Sequence, residues 1–233
     1  DRASTITVAH ALVEQNHTVG VGAIQPGSEL TITDAVIRDT DSPVGARGFG
    51  LVADERATVT ARRVRIASSY TDGVSAQHEA TLTIEDAVVA GTLPSSAATG
   101  VSGNGLDANQ ATLRATRVRV EGNAGAGVLA TNGARAEIAE CVVRGTSPTP
   151  ETPVERQRGF GVVATSGATL GVSATTIEDN TRTGVHAEGE GTTFTLTDSA
   201  VLATRPGANG EGGLGTTVIQ RARLVATRTL ENQ

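Results

Sequence analysis

A four-residue phrase returns seven times along the chain: Gly, an aliphatic residue, any residue, Ala. The aliphatic members are Val21, Leu51, Val74, Leu106, Val128, Val162 and Val185, and the closing Ala is invariant, at Ala23, Ala53, Ala76, Ala108, Ala130, Ala164 and Ala187. Successive phrases are 30, 23, 32, 22, 34 and 23 residues apart. Long and short intervals alternate without a break. A fixed internal period of this size signals a stacked repeat architecture before any single element is considered.

Two apolar-x-apolar triplets follow each phrase. The first set is Leu30/Ile32, Val59/Ala61, Leu82/Ile84, Leu113/Ala115, Ala136/Ile138, Leu170/Val172 and Phe194/Leu196. The second set is Ala35/Ile37, Val64/Ile66, Ala87/Val89, Val118/Val120, Cys141/Val143, Thr175/Ile177 and Ser199/Val201. A period of two means strands with alternate side chains inward. Ile6/Val8 and Ala11/Val13 open the series, and Leu214 to Leu224 begins a last coil. The reading is an all-β chain: a right-handed single-stranded parallel β-helix of about eight coils of three short strands, with alternating long and short loops. No 3.6-residue period supports helices. A β-sandwich would place turns every 8–12 residues and leaves the alternating interval unexplained. Residues 1–233 read as one solenoid domain, part of a longer chain.

Stacking places equivalent residues one strand spacing apart, and the charges agree with that register. The position four after the start of each second strand reads His10, Asp34, Arg63, Asp86, Arg117, Glu140, Ala174, Asp198 and Arg228. Acid and base alternate, with one lapse at Ala174. Opposite charges directly above one another attract, and like charges repel. Asp34, Arg63, Asp86, Arg117 and Glu140 are therefore expected to form a structural charge ladder, with Glu121, Arg144 and Glu178 as a second column. The acidic coils carry the long loops, Asp39–Gly48, Thr92–Gly103, Thr146–Arg158 and Ala203–Gly212, and each loop contains Pro. All leave from the same corner and should form a comb.

Composition excludes several classes. Only Phe49, Phe160, Phe194 and Tyr70 are aromatic, so the core rests on Val, Ile, Leu, Ala and Thr. Cys141 is the one cysteine, which rules out an internal disulfide and cysteine-rich metal sites. A net charge of −6 argues against nucleic acid as partner. No apolar run of roughly 18 residues exists to span a membrane as a helix. Every one of the 19 basic residues is Arg, which suggests GC-rich bacterial coding.

The stretch GVVATSGATLGVSATTIEDNTRTGVHAEGEG resembles the coils of right-handed parallel β-helix proteins, the pectate-lyase-like superfamily, over nearly the whole chain. That resemblance implies the fold. It leaves function open among polysaccharide lyases, polygalacturonases, tailspikes, adhesins and plain scaffolds. Lyases of this type hold calcium with clustered Asp on an outward first-strand face. Here that column reads Gly22, Val52, Ser75, Asp107, Leu129, Val163 and His186, with a single acid, and calcium needs six to eight oxygens. The polygalacturonase motifs are missing, and one of them needs a Lys that this chain lacks. No catalytic residues, metal site or cofactor are assigned.

The remaining candidates have plainer readings. His186 and Glu188 read as surface polar groups, with Asp107 too far away for a dyad. His78–Glu79 reads as a turn, and Cys141 as a small buried hydrophobe. Thr31, Thr60 and Thr83 could suggest an ice-binding row, but Arg114 and Glu137 break it. The expectation is a non-catalytic extracellular or cell-surface scaffold that presents its loops for adhesion, glycan binding or end-to-end assembly. The alternative is a polysaccharide-active enzyme of the same superfamily. Partners would be a glycan, a surface protein or further copies of the chain, and the loop charges Arg47, Arg156, Arg158 and Arg205 are the candidate contacts.

Overall fold

The computed structural model describes residues 3–41, 48–94, 103–148, 159–207 and 210–232. Two parallel sheets run along one axis. The first strands of the coils, Val19–Ile24 to Leu214–Ile219, form an eight-stranded sheet. The second and third strands form a sixteen-stranded one. Crossovers between parallel strands wind right-handed because the strands themselves twist that way. Two coils differ from the three-strand expectation. Glu29–Arg38 and Thr58–Ala67 are each one continuous strand, because they lie directly on each other and keep pairing on both sides of the bend.

Every coil-to-coil pairing is in register. Ala23 pairs with Ala53, then Ala76, Ala108, Ala130, Ala164 and Ala187 in turn. These alanines are buried and form a narrow column in the interior. Leu30, Val59, Leu82, Leu113, Ala136, Leu170 and Phe194 form a second column, and Ile37, Ile66 and Val89 begin a third. Burying one such Leu or Ile is worth about 1.5–3 kcal/mol. The core is thus a set of one-residue-wide stacks.

A glycine column runs beside the aliphatic one, through Gly20, Gly50, Gly73, Gly105, Gly127, Gly161 and Gly184. A Cβ on Gly105 would lie 2.5 Å from Val120 Cγ1 and 2.7 Å from Asn123 Nδ2, and the other six meet the same kinds of atoms. The space is taken by a polar column, half-buried at Asn16 and buried at Thr40, Ser69, Thr92, Asn123, Thr146, Asn180 and Thr204. Each lies three residues after the inward aliphatic that ends a third strand. Asn123 and Asn180 bond backbone groups of neighbouring coils. Thr92 N–H donates to Asn123 Oδ1 at 3.0 Å, Thr146 N–H to Asn180 Oδ1 at 3.1 Å, and Asn180 Nδ2 to Val143 O at 3.2 Å.

The charge-ladder position is the bend between second and third strands. All nine of its residues, His10 to Arg228, have φ between +47° and +55°. Chain direction changes there and the side chains splay outward. Arg63 Nε donates to Asp34 at 2.7 Å, Arg117 Nε donates to Asp86 at 2.6 Å, and Arg228 donates to Asp198. The acid always sits one coil before its Arg. The bonded guanidinium holds the carboxyls of Asp34, Asp86 and Asp198 below their ordinary value of 3.8. Among the described residues Glu140 has no ion pair of this kind, because the next coil offers Ala174; it acts on Arg117 only through its field. The second column also pairs, Arg144 Nη2 to Glu121 Oε2 at 2.9 Å.

Arg135 opens the strand Arg135–Ala139, because Asn132 and Gly133, both with positive φ, complete the turn before it. Cys141 is buried, and burial pushes its thiol pKa up. Its Sγ also accepts from Val118 N–H at 3.3 Å. Thr175 and Ser199 repeat this contact one and two coils later, through Cys141 N–H and Thr175 N–H. Cys141 is thus a hydrogen-bonding member of its column as well as a packing one.

Two outcomes follow from this packing. Gly105→Ala should destabilise by roughly 1–3 kcal/mol or more through overpacking. Gly171→Ala, whose Cβ would meet nothing within 4 Å, should be neutral or stabilising in thermal melts. Equal losses for the two would show that the glycine column is not sterically required. Arg63→Asp places three acids in adjacent rungs and should lower the Tm more than Arg65→Asp, whose coil neighbours are Val36 and Val88. Carboxyls held below 3.8 contribute stability above that value and lose it as pH falls through their folded pKa. An Asp34→Asn/Asp86→Asn/Asp198→Asn variant should therefore have a flatter Tm–pH profile in that acid range.

Candidate functional site

Two features stand out from the regular body: the corner from which the long loops leave, and the outer face of the eight-stranded sheet that begins beside that corner. The corner is built by the short turns. His17, Tyr70, Ala124 and Thr181, all in short turns, form parallel bridges to Asp41, Leu93, Ser147 and Arg205 in the next coil. Those four residues are the outgoing stems of the long loops. The asparagine bonds to Thr92 and Thr146 fix the same stems from inside. Each long loop therefore starts from a rigid anchor, on every second coil.

The loop charges are only partly placed. Arg47, Arg156 and Arg158 lie outside the described residues. Arg205 sits on the last stem, and its Nη2 donates to Asp179 Oδ1 at 2.6 Å. It lines a shallow depression of about 250 Å³ with Glu121, Gly122, Arg144, Gly145 and Asp179. The structure thus gives Arg205 a coil-to-coil partner as well as an exposed position.

Outward side chains of the eight-stranded sheet form columns along the axis. Of these, His186 and Glu188 were expected to be surface polar groups, and for His186 the structure differs. Asp72, Ser75, Gln77, Asn104, Asp107 and His186 all point away from the axis yet are buried. Asn104 Nδ2 donates to Asp72 at 2.9 Å, Gln77 Nε2 to Ser75 at 2.8 Å, and Ser75 Oγ to Asp107 at 3.4 Å. Beyond this polar group lies an apolar patch of Ala126, Leu129 and Val163, with Phe160 packed on it. Phe160 then stacks on His186, ring centroids 4.9 Å apart and planes 8° apart. Two of the chain's few rings are spent on this one outward contact. His186 Nε2 lies 3.3 Å from Glu188 Oε2, while its buried Nδ1 has no hydrogen-bond partner among the described residues.

Asp107 and His186 are three coils apart, about 14 Å at the strand spacing, too far for proton transfer between them. Ser75 has an acid beside it but no imidazole, so nothing among the described residues activates it as a nucleophile. No group of three or more His, Cys, Asp or Glu among the described residues could share a metal. Alternation identified the outward column correctly. It could not show that these positions are covered, because burial of an outward face depends on chain from elsewhere. The buried polar column had a readable signal, a short polar residue at the same offset in every coil.

The family described as a right-handed β-helix region matches residues 49–218. No curated relative matches the sequence. Among solved structures the chain is similar to pectate lyase Pel9A, with TM-score 0.55 and 10% identity over 94% of this chain and 69% of that one. It is also similar to the enzymatically active domain of bacteriophage CBA120 tailspike protein 2, with TM-score 0.46 and 10% identity over 99% of this chain and 38% of that one. At such identities the likeness is one of fold.

If Asn180 anchors the loop stem, Asn180→Ala leaves Thr146 N–H buried without an acceptor. The expected cost is about 1–3 kcal/mol. Amide exchange should accelerate at Thr146 and Ser147 and stay slow at Ile138. Uniform acceleration would mean that Asn180 supports the whole coil stack and has no special hold on the stem.

Proposed function

We propose that this chain, which belongs to the right-handed β-helix family, is a non-catalytic scaffold that uses its row of loops to hold a glycan or a surface protein outside the cell. One observation carries the reading: four long connections leave a single corner on alternate coils, each from a stem bridged to the coil before. Two strand spacings separate neighbouring stems, roughly 10 Å. Such a row suits a ligand that is itself extended and repetitive. A stiff body also lowers the ordering cost of binding, since the contact points are already spaced. The charges Arg47, Arg156, Arg158 and Arg205 are the first contacts to test, because guanidinium groups grip carboxylates and sulfates in two-point fashion.

The second reading is a polysaccharide-active enzyme. It is favoured by the outer face next to the loop corner, where Asp72, Asn104 and Asp107 gather, and by the fold shared with a pectate lyase. The two readings separate in one experiment. The protein is incubated with polygalacturonate and other acidic polysaccharides, and both retention on immobilised polymer and release of unsaturated or reducing sugars are measured. Retention without release is expected. Replacing residues 149–158 by a turn as short as 122–125, or changing the four arginines to Ala, should abolish retention while leaving the Tm within a few degrees. Sugar release above a heat-inactivated control would overturn the scaffold reading.

A further inference from the structure

We propose that Asn132 is a site of spontaneous covalent modification: it deamidates through the backbone nitrogen of Gly133, and the stacked coils hold that reaction back. An Asn-Gly pair favours this chemistry because glycine puts no side chain in the way of its own nitrogen. The proton on Gly133 N passes to a solvent base, and the nitrogen attacks Asn132 Cγ. The new N–Cγ bond closes a five-membered imide. The Cγ–Nδ2 bond breaks, and the amide nitrogen takes up a proton and leaves as ammonia. Water is the second reactant. It opens the imide at Cγ to leave Asp, or at the backbone carbonyl to leave isoaspartate, in which the main chain runs through Cβ.

The sequence holds three Asn-Gly pairs, at Asn104, Asn132 and Asn209. Asn209 lies outside the described residues. Asn104 opens the strand Asn104–Asn109, is buried, and donates its amide to Asp72 at 2.9 Å. Neither water nor base has ready access to it there. Asn132 and Gly133 are both exposed, in the turn that joins the first strand of their coil to the second. A Cβ on Gly133 would meet nothing within 4 Å, so solvent reaches the reacting atoms. The turn is tight: φ is +54° at Asn132 and +74° at Gly133, and Ala134 N–H donates to Thr131 O at 3.1 Å.

Two bonds to neighbouring coils hold the reaction back. Gly133 N–H donates to Ser166 O in the coil after it at 3.0 Å, so the nucleophile keeps its proton. Asn132 Nδ2 donates to Asn109 Oδ1 in the coil before it at 2.9 Å, so the leaving amide is tied as well. Reaction must wait until the turn parts from the coil after it. A deprotonated Gly133 nitrogen is also the intermediate of base-catalysed amide exchange. Deamidation needs everything that exchange needs, and the approach of Cγ besides. The fold must therefore slow it by at least the factor that protects the Gly133 amide. Isoaspartate lengthens the main chain inside the turn and cannot keep both the Thr131–Ala134 closure and the bond to Ser166. The long loops follow third strands, so this proposal and the loop reading can fail separately.

The test incubates the intact protein in mildly alkaline heavy-oxygen water and maps acid and isoaspartate at each Asn-Gly pair by mass spectrometry. The same chain in denaturant supplies the unfolded rates. In the native protein heavy oxygen should enter at Asn132 and faster there than at Asn104. The native rate at Asn132 should be about tenfold or more below the unfolded one, a factor that roughly 1.4 kcal/mol of local opening already gives. That slowing should equal or exceed the protection of the Gly133 amide in hydrogen exchange. Asn109→Ala should raise the native rate about two- to tenfold by freeing the amide. The fraction carrying isoaspartate should melt below the parent. The proposal is overturned if native Asn132 takes up no heavy oxygen, reacts as fast as when unfolded, or is slowed less than Gly133 exchange is. It is equally overturned if Asn104 reacts as fast as Asn132, if Asn109→Ala changes nothing, or if the isoaspartate fraction melts no lower.

Discussion

Parallel backbone pairing between successive coils is the constraint from which the rest of this structure follows. Each strand bonds only to its equivalents before and after it. A residue therefore sits over its counterpart one coil away, and every structural position becomes a column. Whatever a column needs, it needs at each level. That is why Ala recurs from Ala23 to Ala187 in the narrow interior, giving way only at Val218 in the end coil, and why Gly recurs beside the aliphatic phrase. Breaking one rung disturbs two interfaces, since no coil has a partner other than its neighbours.

The same stacking explains the charges. Side chains at the left-handed bend project outward one strand spacing apart, and a column of like charges would oppose assembly. Alternating acid and Arg resolves this, and it makes the repeating unit a pair of coils. The unit also carries one long and one short connection. The short turns have a second task beyond changing direction. They bridge to the stems of the long loops in the following coil, and Asn123 and Asn180 accept the backbone N–H of the stem in the preceding coil from the interior. Loop display and coil stacking are therefore one mechanical system, with the regular body setting the spacing of the variable parts.

Where the pattern lapses, a local feature appears. Ala174 interrupts the ladder, and among the described residues Glu140 has no bonded cation. Gly171 interrupts the neighbouring outward column and leaves an open depression. Phe160, between Ala126 and Thr183 in its column, and His186, between Val163 and Thr217 in its own, stack on one another. A repeat protein advertises its special sites in this way, because the regular levels define what each position would otherwise hold. Glu140 carries information only when compared with Asp34 and Asp86.

The sequence by itself determined the columns. Strand periodicity, the alternating interval and the alternation of charge are local or fixed-offset properties, so inward Ala53, outward Thr60 and the Arg63 rung were all legible before any coordinates. The polar column at Thr92, Asn123 and Thr146 was equally periodic, but it is interpretable only once the glycine column beside it shows why the space is shared. Tertiary structure alone decided what depends on chain meeting chain off the repeat. It merged the strands in Glu29–Arg38 and Thr58–Ala67, gave Arg205 its partner in Asp179, and buried Asp107 and His186 on a face that alternation marks as outward. Periodicity tells which way a side chain points; only the packed molecule tells what lies there to meet it.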